Sequence, residues 1–254
     1  MIDSHAHVHD RAFDADRGAV IRRARDAGVA GVLTVGCDLE DSERAVATAR
    51  EFGIVASIGI HPHEAKSAPD DVAAAFAPLL ESPDVVAIGE TGLDFYYDHS
   101  PRDMQERVLR AQIAIARERN LPLVFHVRDA HDRMIEILRE ERSPGMRGVI
   151  HCFTGNEEQA RAYTGEFALH LGIGGVLTFA TAANLRQAVR AVGIEPLLME
   201  TDAPYLAPVP MRGKRNEPAF VTYTAEQLAQ TLGISPSTVA EVTTRNAGHL
   251  GFMR

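Results

Sequence analysis

The sequence predicts a (β/α)₈ barrel, a TIM barrel, and three observations carry that expectation. Eight short apolar runs recur along the chain, most of them followed by a turn-like or cap-like stretch. The chain has 254 residues, and such barrels need roughly 250. The first run leads into "DSHAHVHD", where an open doubly wound sheet would want a glycine-rich dinucleotide loop.

The runs, in order, are "MIDSHA", "AGVLTVG", "IVASIGI", "VVAIGE", "LPLVFHV", "RGVIHCF", "LHLGIGGV" and "PLLMETD". They are short and mostly apolar on both faces, the pattern of a buried parallel strand. Amphipathic segments lie between them. In "DMQERVLRAQIAIARERN", Val108, Ile115 and their apolar neighbours recur at helical spacing. Ser100 before Pro101 reads as an N-cap followed by proline at the first helical position, and "SPSTVAEV" repeats that start near residue 235. "GIGG" near residue 172 lacks the context of a phosphate loop and reads as a tight barrel position. No linker or low-complexity stretch divides the chain, so one domain spanning 1–254 is expected.

Composition excludes several classes. The 45% hydrophobic content suits a full globular core. The apolar runs are too short to cross a bilayer, so no membrane partner is expected. The first ten residues are acidic and histidine-rich, unlike a secretory signal. Cys37 and Cys152 imply no disulfide framework, and a cytoplasmic location is expected. A net charge of -9 argues against nonspecific clamping of long duplex DNA. Lys66 and Lys214 are the only lysines, which limits any mechanism built on a lysine nucleophile or a modified lysine ligand.

The polar residues concentrate at run ends. Strand side chains alternate, so His5 and His7 face the same way. Glu90, His126, His151 and Asp202 each stand at or near the end of a different run, and His61 does the same in "SIGIH". In a barrel those ends form one rim, where active sites sit. Four histidines and two carboxylates suit Zn²⁺, Mn²⁺ or Fe, and Mg²⁺ less well. Six ligands are too many for one catalytic ion and fit two ions sharing a carboxylate, an arrangement that clamps the attacking and leaving oxygens of a phosphodiester. His61 and His63 are held in reserve as surface or supporting groups. His9, His99, His131, His170 and His249 read as structural or exposed. Cys152 should face away from His151 as a small buried hydrophobe. Arg212, Lys214 and Arg215 crowd one loop after Asp202 and, with Arg128, are candidates to position a phosphate.

"DSHAH", "GIHPH", "IGETGLDFYY", "HVRDA", "HCFTG", "ETDAPYLAPVPMRGKRNEP" and "TTRNA" occur in that order between residues 3 and 247. In this the chain resembles the TatD family of metal-dependent hydrolases. The resemblance implies an amidohydrolase-like barrel and a nuclease using two divalent ions (Mg, Mn or Zn), with 3′-to-5′ action on DNA ends. By position, it implies that His5, His7 and Asp202 hold one ion and His126 and His151 the other. Glu90 bridges them, Asp202 orients or deprotonates the attacking water, and Glu200 touches an additional metal in some members. Single-stranded ends are the expected substrate, with His61, Arg128 and Arg212 as its contacts and a monomer favoured. Two departures are visible. Ala180 stands where members often carry Lys or Arg, and "HAHVHD" replaces HxHL followed by an acidic residue.

Two other functions compete. A barrel amidase, lactonase or phosphotriesterase would keep the rim and change the bond. Many such enzymes bridge their metals with a carboxylated lysine at the fourth strand end, where this chain has Glu90. A metal-binding protein without turnover is the third reading.

Overall fold

The computed structural model describes residues 1–253. Strands and helices alternate: β1 (Ile2–Ala6), α1 (Arg17–Asp26), β2 (Gly31–Val35), α2 (Leu39–Phe52), β3 (Val55–Ile58), α3 (Val72–Leu80), β4 (Val85–Asp94) and α4 (Arg102–Arg119). The second half continues with β5 (Leu123–Arg128), α5 (His131–Glu140), β6 (Gly148–Ile150), α6 (Glu157–Arg161), β7 (His170–Ile173), α7 (Ala183–Val192), β8 (Leu197–Met199), α8 (Val221–Leu232) and α9 (Pro236–His249). The strands pair in parallel in the order β1 through β8. The last seam is made just past β8. His7 N–H donates to Ala203 O at 2.7 Å, and Asp202 N–H to His5 O at 2.9 Å. The buried Asp3 carboxylate accepts from Thr201 N–H at 2.9 Å and Thr201 Oγ1 at 2.6 Å. The eight-stranded barrel predicted from the runs is the one observed.

Two apolar layers result from strand alternation. Ile2, Leu33, Val35, Val55, Ala87, Val124, Val149 and Leu198 come from seven strands and meet in the barrel interior, closed at one end by Ala247, Leu250 and Phe252. Ala6, Ile58, Ile88, Phe125, Ile150 and Met199 face the other way, into the helix layer. Beyond the inner residues, the same alternation carries β5 on to His126 and Arg128, and the β6 and β8 paths on to His151 and Glu200. Gly172 on β7 is required by this packing, because a Cβ there would stand 2.1 Å from Glu200 Oε2.

Alternation alone does not place His5 and Glu90. Ile2 is inward-facing, so strict period two would send His5 outward. An irregularity between Asp3 and Ala6 in the pairing with β2 reverses the parity. A second, between Ile88 and Thr91, does the same after Ala87 and brings Glu90 inward. Bulges of this kind re-aim side chains next to active sites.

Three local expectations are corrected. β4 does not end at Glu90 but runs through "TG" to Asp94, because Thr91, Gly92, Leu93 and Asp94 keep pairing with β5. Ser100 does not cap α4, whose N-cap is Pro101. Its hydroxyl instead donates to His63 O at 2.6 Å and accepts from Lys66 N–H at 3.0 Å. Cys152 is only half-buried, because β6 stops at Ile150 and the backbone turns with a Cys152 φ of 43°, which voids the alternation that would have hidden it. Ser235, by contrast, caps α9 as expected, accepting from Thr238 N–H at 3.0 Å with Pro236 in the first turn.

His131 is structural, as read. It opens α5, contacts the Tyr163 hydroxyl at 3.1 Å and packs against Phe153. Burial pushes its pKa down to about 4. The unfolded chain, near 6.5, therefore binds a proton that the folded chain refuses. This residue's contribution is fully present above about pH 6.5 and is lost as pH falls toward 4, a change of about 3 kcal/mol. His131→Gln should thus show a smaller drop in Tm between pH 7 and 4.5 than the wild type. Equal drops in a thermal melt would remove His131 from the acid limb.

Candidate metal centre

Glu90 is the hub. Its Oε2 lies 3.4 Å from His5 Nε2 and 3.9 Å from His7 Nε2. Its Oε1 lies 2.9 Å from His126 Nδ1, 3.5 Å from His61 Nε2 and 3.6 Å from His151 Nε2. Asp202 closes the near side, with Oδ1 at 3.5 Å from His7 Nε2 and 3.8 Å from His5 Nε2. The side chains of His5, His7, Glu90, His151 and Asp202 are largely or fully buried, and that of His126 is partly so. All six residues expected as ligands meet at one place. His151 sits nearer His5 than expected, its ring stacked at 3.5 Å on His5 and 6.1 Å from that of His126.

The donor set fits cations. Three imidazoles face an outer acceptor: His7 Nδ1 hydrogen-bonds at 2.7 Å to Val35 O and His126 Nε2 at 3.2 Å to Asp94 Oδ2, while His151 Nδ1 makes an ion-pair contact at 3.0 Å with Glu200 Oε1, outside hydrogen-bond geometry. Against burial, the carboxylates around them raise the pKa of all three rings. With an ion bound, a proton kept on each outer nitrogen would leave the inner lone pair to the metal, the arrangement that supporting groups impose on metal-ligating histidines. His5 and His7 bring their Nε2 atoms within 3.3 Å of each other. Clusters that can hold an ion are His5–His7–Glu90, His5–His151–Asp202, His61–Glu90–His126 and His151–Cys152–Glu200.

His61 differs from the others. Its Nδ1 accepts from His63 N–H at 3.1 Å, and burial pushes its pKa down to about 4. The neutral ring must then carry its proton on Nε2, so it faces the centre as a hydrogen-bond donor rather than a lone pair.

Burial would raise the Glu90 carboxyl, but His61, His151 and His5, with the His126 hydrogen bond, outweigh it and hold it well below the usual carboxylate range. The same balance, with the His7 contact foremost against burial, keeps Asp202 low. Both are ionised. Burial pushes the nearby Cys37 thiol up to about 12, so it is a neutral neighbour at 3.8 Å from Glu90.

Two lobes open above the centre. The larger, about 560 Å³, is lined by His61, His63, Tyr97 and Tyr205 among others. The smaller, about 380 Å³, is lined by Tyr96, Val127, Val176 and Thr154 among others. Both share His126, Arg128, His151, Asp202 and Leu206. The Arg128 guanidinium lies 4.2 Å over the Tyr96 ring and 4.7 Å over Tyr97, so it is placed at the seam. The 212–215 loop is not at either lobe. Arg212 lies 3.9 Å over the Phe179 ring, and Arg215 pairs with Asp16 at 2.7 and 2.8 Å.

Asp94 and Cys37 were missed as site residues, and so were the tyrosines. A signal existed for Asp94. Read as an unbroken strand, "ETGLD" puts Glu90 and Asp94 on one face. Nothing local marks Cys37 or Tyr205, which reach the site from separate loops.

The barrel and its rim of histidines and carboxylates define a metal-dependent hydrolase. The model of the TatD related DNase family matches residues 2–250. An uncharacterized metal-dependent hydrolase, YabD of Bacillus subtilis, is 40% identical over 98% of both chains. A protein named 3′-5′ ssDNA/RNA exonuclease TatD, from Cronobacter sakazakii, is 39% identical over 98% of this chain and 97% of its own. The crystal structure of YjjV, a TatD homologue of Escherichia coli, superposes with a TM-score of 0.92 at 27% identity, covering 98% of this chain and 97% of that one. The chain belongs to the TatD-related DNase family. No described helix is long and apolar enough to cross a membrane.

Proposed function

We propose that the enzyme removes nucleotides from the 3′ ends of single-stranded DNA, using two divalent ions at the Glu90 hub. The carrying observation is the division of Glu90: Oε2 faces His5 and His7, and Oε1 faces His126 and His151. A carboxylate that turns one oxygen to each histidine pair is the shape of a bridge. His5, His7 and Asp202 would hold one ion, and His126 and His151 the other. Such ions, when bound, supply Lewis acidity and an activated water.

The chain's own groups do the rest. Asp202, ionised and beside the hub, accepts the water's proton. The Nε2–H of His61 donates to a phosphate oxygen, and Arg128 at the seam gives that phosphate a fixed cation. Asp94 keeps the His126 ring in place. Arg212, committed to Phe179, is a weaker substrate contact than its place in the sequence implies. The relative named as a 3′-5′ ssDNA/RNA exonuclease supports the choice of polarity and of single strands.

End-labelled oligonucleotides incubated with Mg²⁺ or Mn²⁺ should release mononucleotides stepwise from the 3′ end. Purified protein should carry up to two divalent ions by elemental analysis, and His5→Ala combined with His126→Ala should bind markedly less. Cutting of a circular single strand at a comparable rate would overturn the exonuclease reading. Undiminished metal in the double variant would overturn the site.

A further inference from the structure

The two lobes differ in chemistry, and the difference gives the bound strand a direction. The larger lobe carries Asp10, Asp38, Asp41 and Glu64 on its walls. The smaller has Asp129 as its only carboxylate besides the shared Asp202, and its walls include Val127 and Val176, which the larger lacks. At its edge stands Tyr96, a large ring left 57% exposed. It is braced edge-on by Tyr97 at 4.8 Å and by the Arg128 guanidinium at 4.2 Å. Tyr97 and Tyr205 are about as open but line the acidic lobe, so of the three rings Tyr96 is the one at the apolar slot. A slot of about 380 Å³ also falls within the roughly 300–1,000 Å³ range of small-molecule pockets.

A continuing DNA strand brings one negative charge per nucleotide. Besides the shared Asp202 it would meet five carboxylates in the larger lobe, the hub Glu90 among them, and one beside an apolar wall in the smaller, with the Arg128 cation at the seam between the two. The terminal nucleoside with a free 3′-hydroxyl has no phosphate beyond the scissile one, so it alone enters the acidic lobe without like-charge repulsion. We infer that the strand enters over Tyr96, which stacks on the base preceding the scissile phosphate, and that the acidic lobe receives the terminal nucleoside and rejects a 3′-phosphate. This rests on the 3′-exonuclease reading and specifies how that site grips its substrate.

The test uses Tyr96→Ala and Tyr96→Phe in the full-length, metal-loaded protein, with thermal melts to check folding. Four substrates are compared: a single strand with a 3′-hydroxyl, the same strand abasic at the penultimate position, the same strand with a 3′-phosphate, and bis(4-nitrophenyl) phosphate, which has no base. Tyr96→Ala should raise KM on the intact strand by about 5–150-fold with kcat retained, the fold-equivalent of the ~1–3 kcal/mol of base–aromatic stacking. Tyr96→Phe should restore it. On the abasic strand and on the base-free diester, Tyr96→Ala should raise KM far less, because only the ring's support of Arg128 is lost there. The wild type should prefer the 3′-hydroxyl strand to the 3′-phosphate strand. An equal KM rise on intact and abasic strands, or none on either, overturns the stacking subsite. Equal cleavage of the two 3′ ends overturns the direction. If the wild type hydrolyses the base-free diester but no DNA strand, the exonuclease reading itself falls and takes this inference with it.

Discussion

Asp202→Asn should lower kcat on single-stranded DNA by roughly 10²–10⁴-fold, the usual contribution of a positioned general base. The carboxylate is ionised beside the hub, within 3.5 Å of His7. Asparagine is the informative replacement for a backbone reason. Asp202 has a φ of 60°, a left-handed conformation that Asn and Asp tolerate and most residues do not. The variant should therefore keep the seam hydrogen bond from Asp202 N–H to His5 O and fold normally. Asp202 also faces His5 and His7, so metal content must be measured alongside rate. Loss of a base predicts a residual rate that still climbs with pH where the wild type has levelled. Loss of a ligand predicts a rate restored by excess Mn²⁺. A kcat near wild type with metal retained would remove Asp202 from proton transfer.

Glu90→Gln should cost on the order of 10²–10³ in rate, comparable to removing one strong preorganised electrostatic contact, and should loosen metal binding as well. Glutamine keeps the size and the hydrogen bonding but gives up the charge that both histidine pairs face. Asp94→Asn, chemically the same change four residues on, is not a neutral comparison. Asp94 Oδ2 contacts His126 Nε2 at 3.2 Å and His63 Nε2 at 2.8 Å, and Oδ1 accepts from Tyr96 and Tyr97 N–H at 3.0 and 2.9 Å. It is a positioning residue, and its loss should cost about 10–100-fold in metal affinity or activity. The neutral comparison is Glu158→Gln, on the exposed start of α6. The expected order of rates is wild type and Glu158→Gln together, then Asp94→Asn, then Glu90→Gln. Should Glu90→Gln match the wild type at saturating Mn²⁺, Glu90 is not the bridge and the two-ion arrangement has to be redrawn.

Much of this protein is local enough to be written in the order of its residues. Eight apolar runs between amphipathic segments impose strands and helices through burial alone, and a parallel sheet that long closes most readily as a barrel. His126 and His151 follow from the same rule. Each lies two residues past an inward-facing valine, Val124 or Val149, and period two does the rest. The rim position of Asp202 follows from its place past β8.

Other features needed the assembled chain. The parity reversals in β1 and β4 depend on how each strand pairs with its neighbour, and no residue in "DSHAH" or "IGETG" announces them. The sequence put His5 and His7 on one face. Which face that was, the pairing with β2 decided. The roles of the histidines were likewise set from outside. Val35 O, Asp94 and Glu200 lie as acceptors against the outer nitrogen of His7, His126 and His151, while the outer nitrogen of His61 accepts from His63 N–H, which leaves its inner Nε2 a donor. Charge in a loop was a poor guide, since Arg215 found Asp16 across 199 residues and Arg212 found Phe179. The aromatic wall at the mouth joins Tyr96 and Tyr97 after β4 to Arg128 at the end of β5. Sequence determines what a segment buries and which groups it can offer. Which nitrogen, which face and which partner they present is decided by distances that exist only once the barrel has closed.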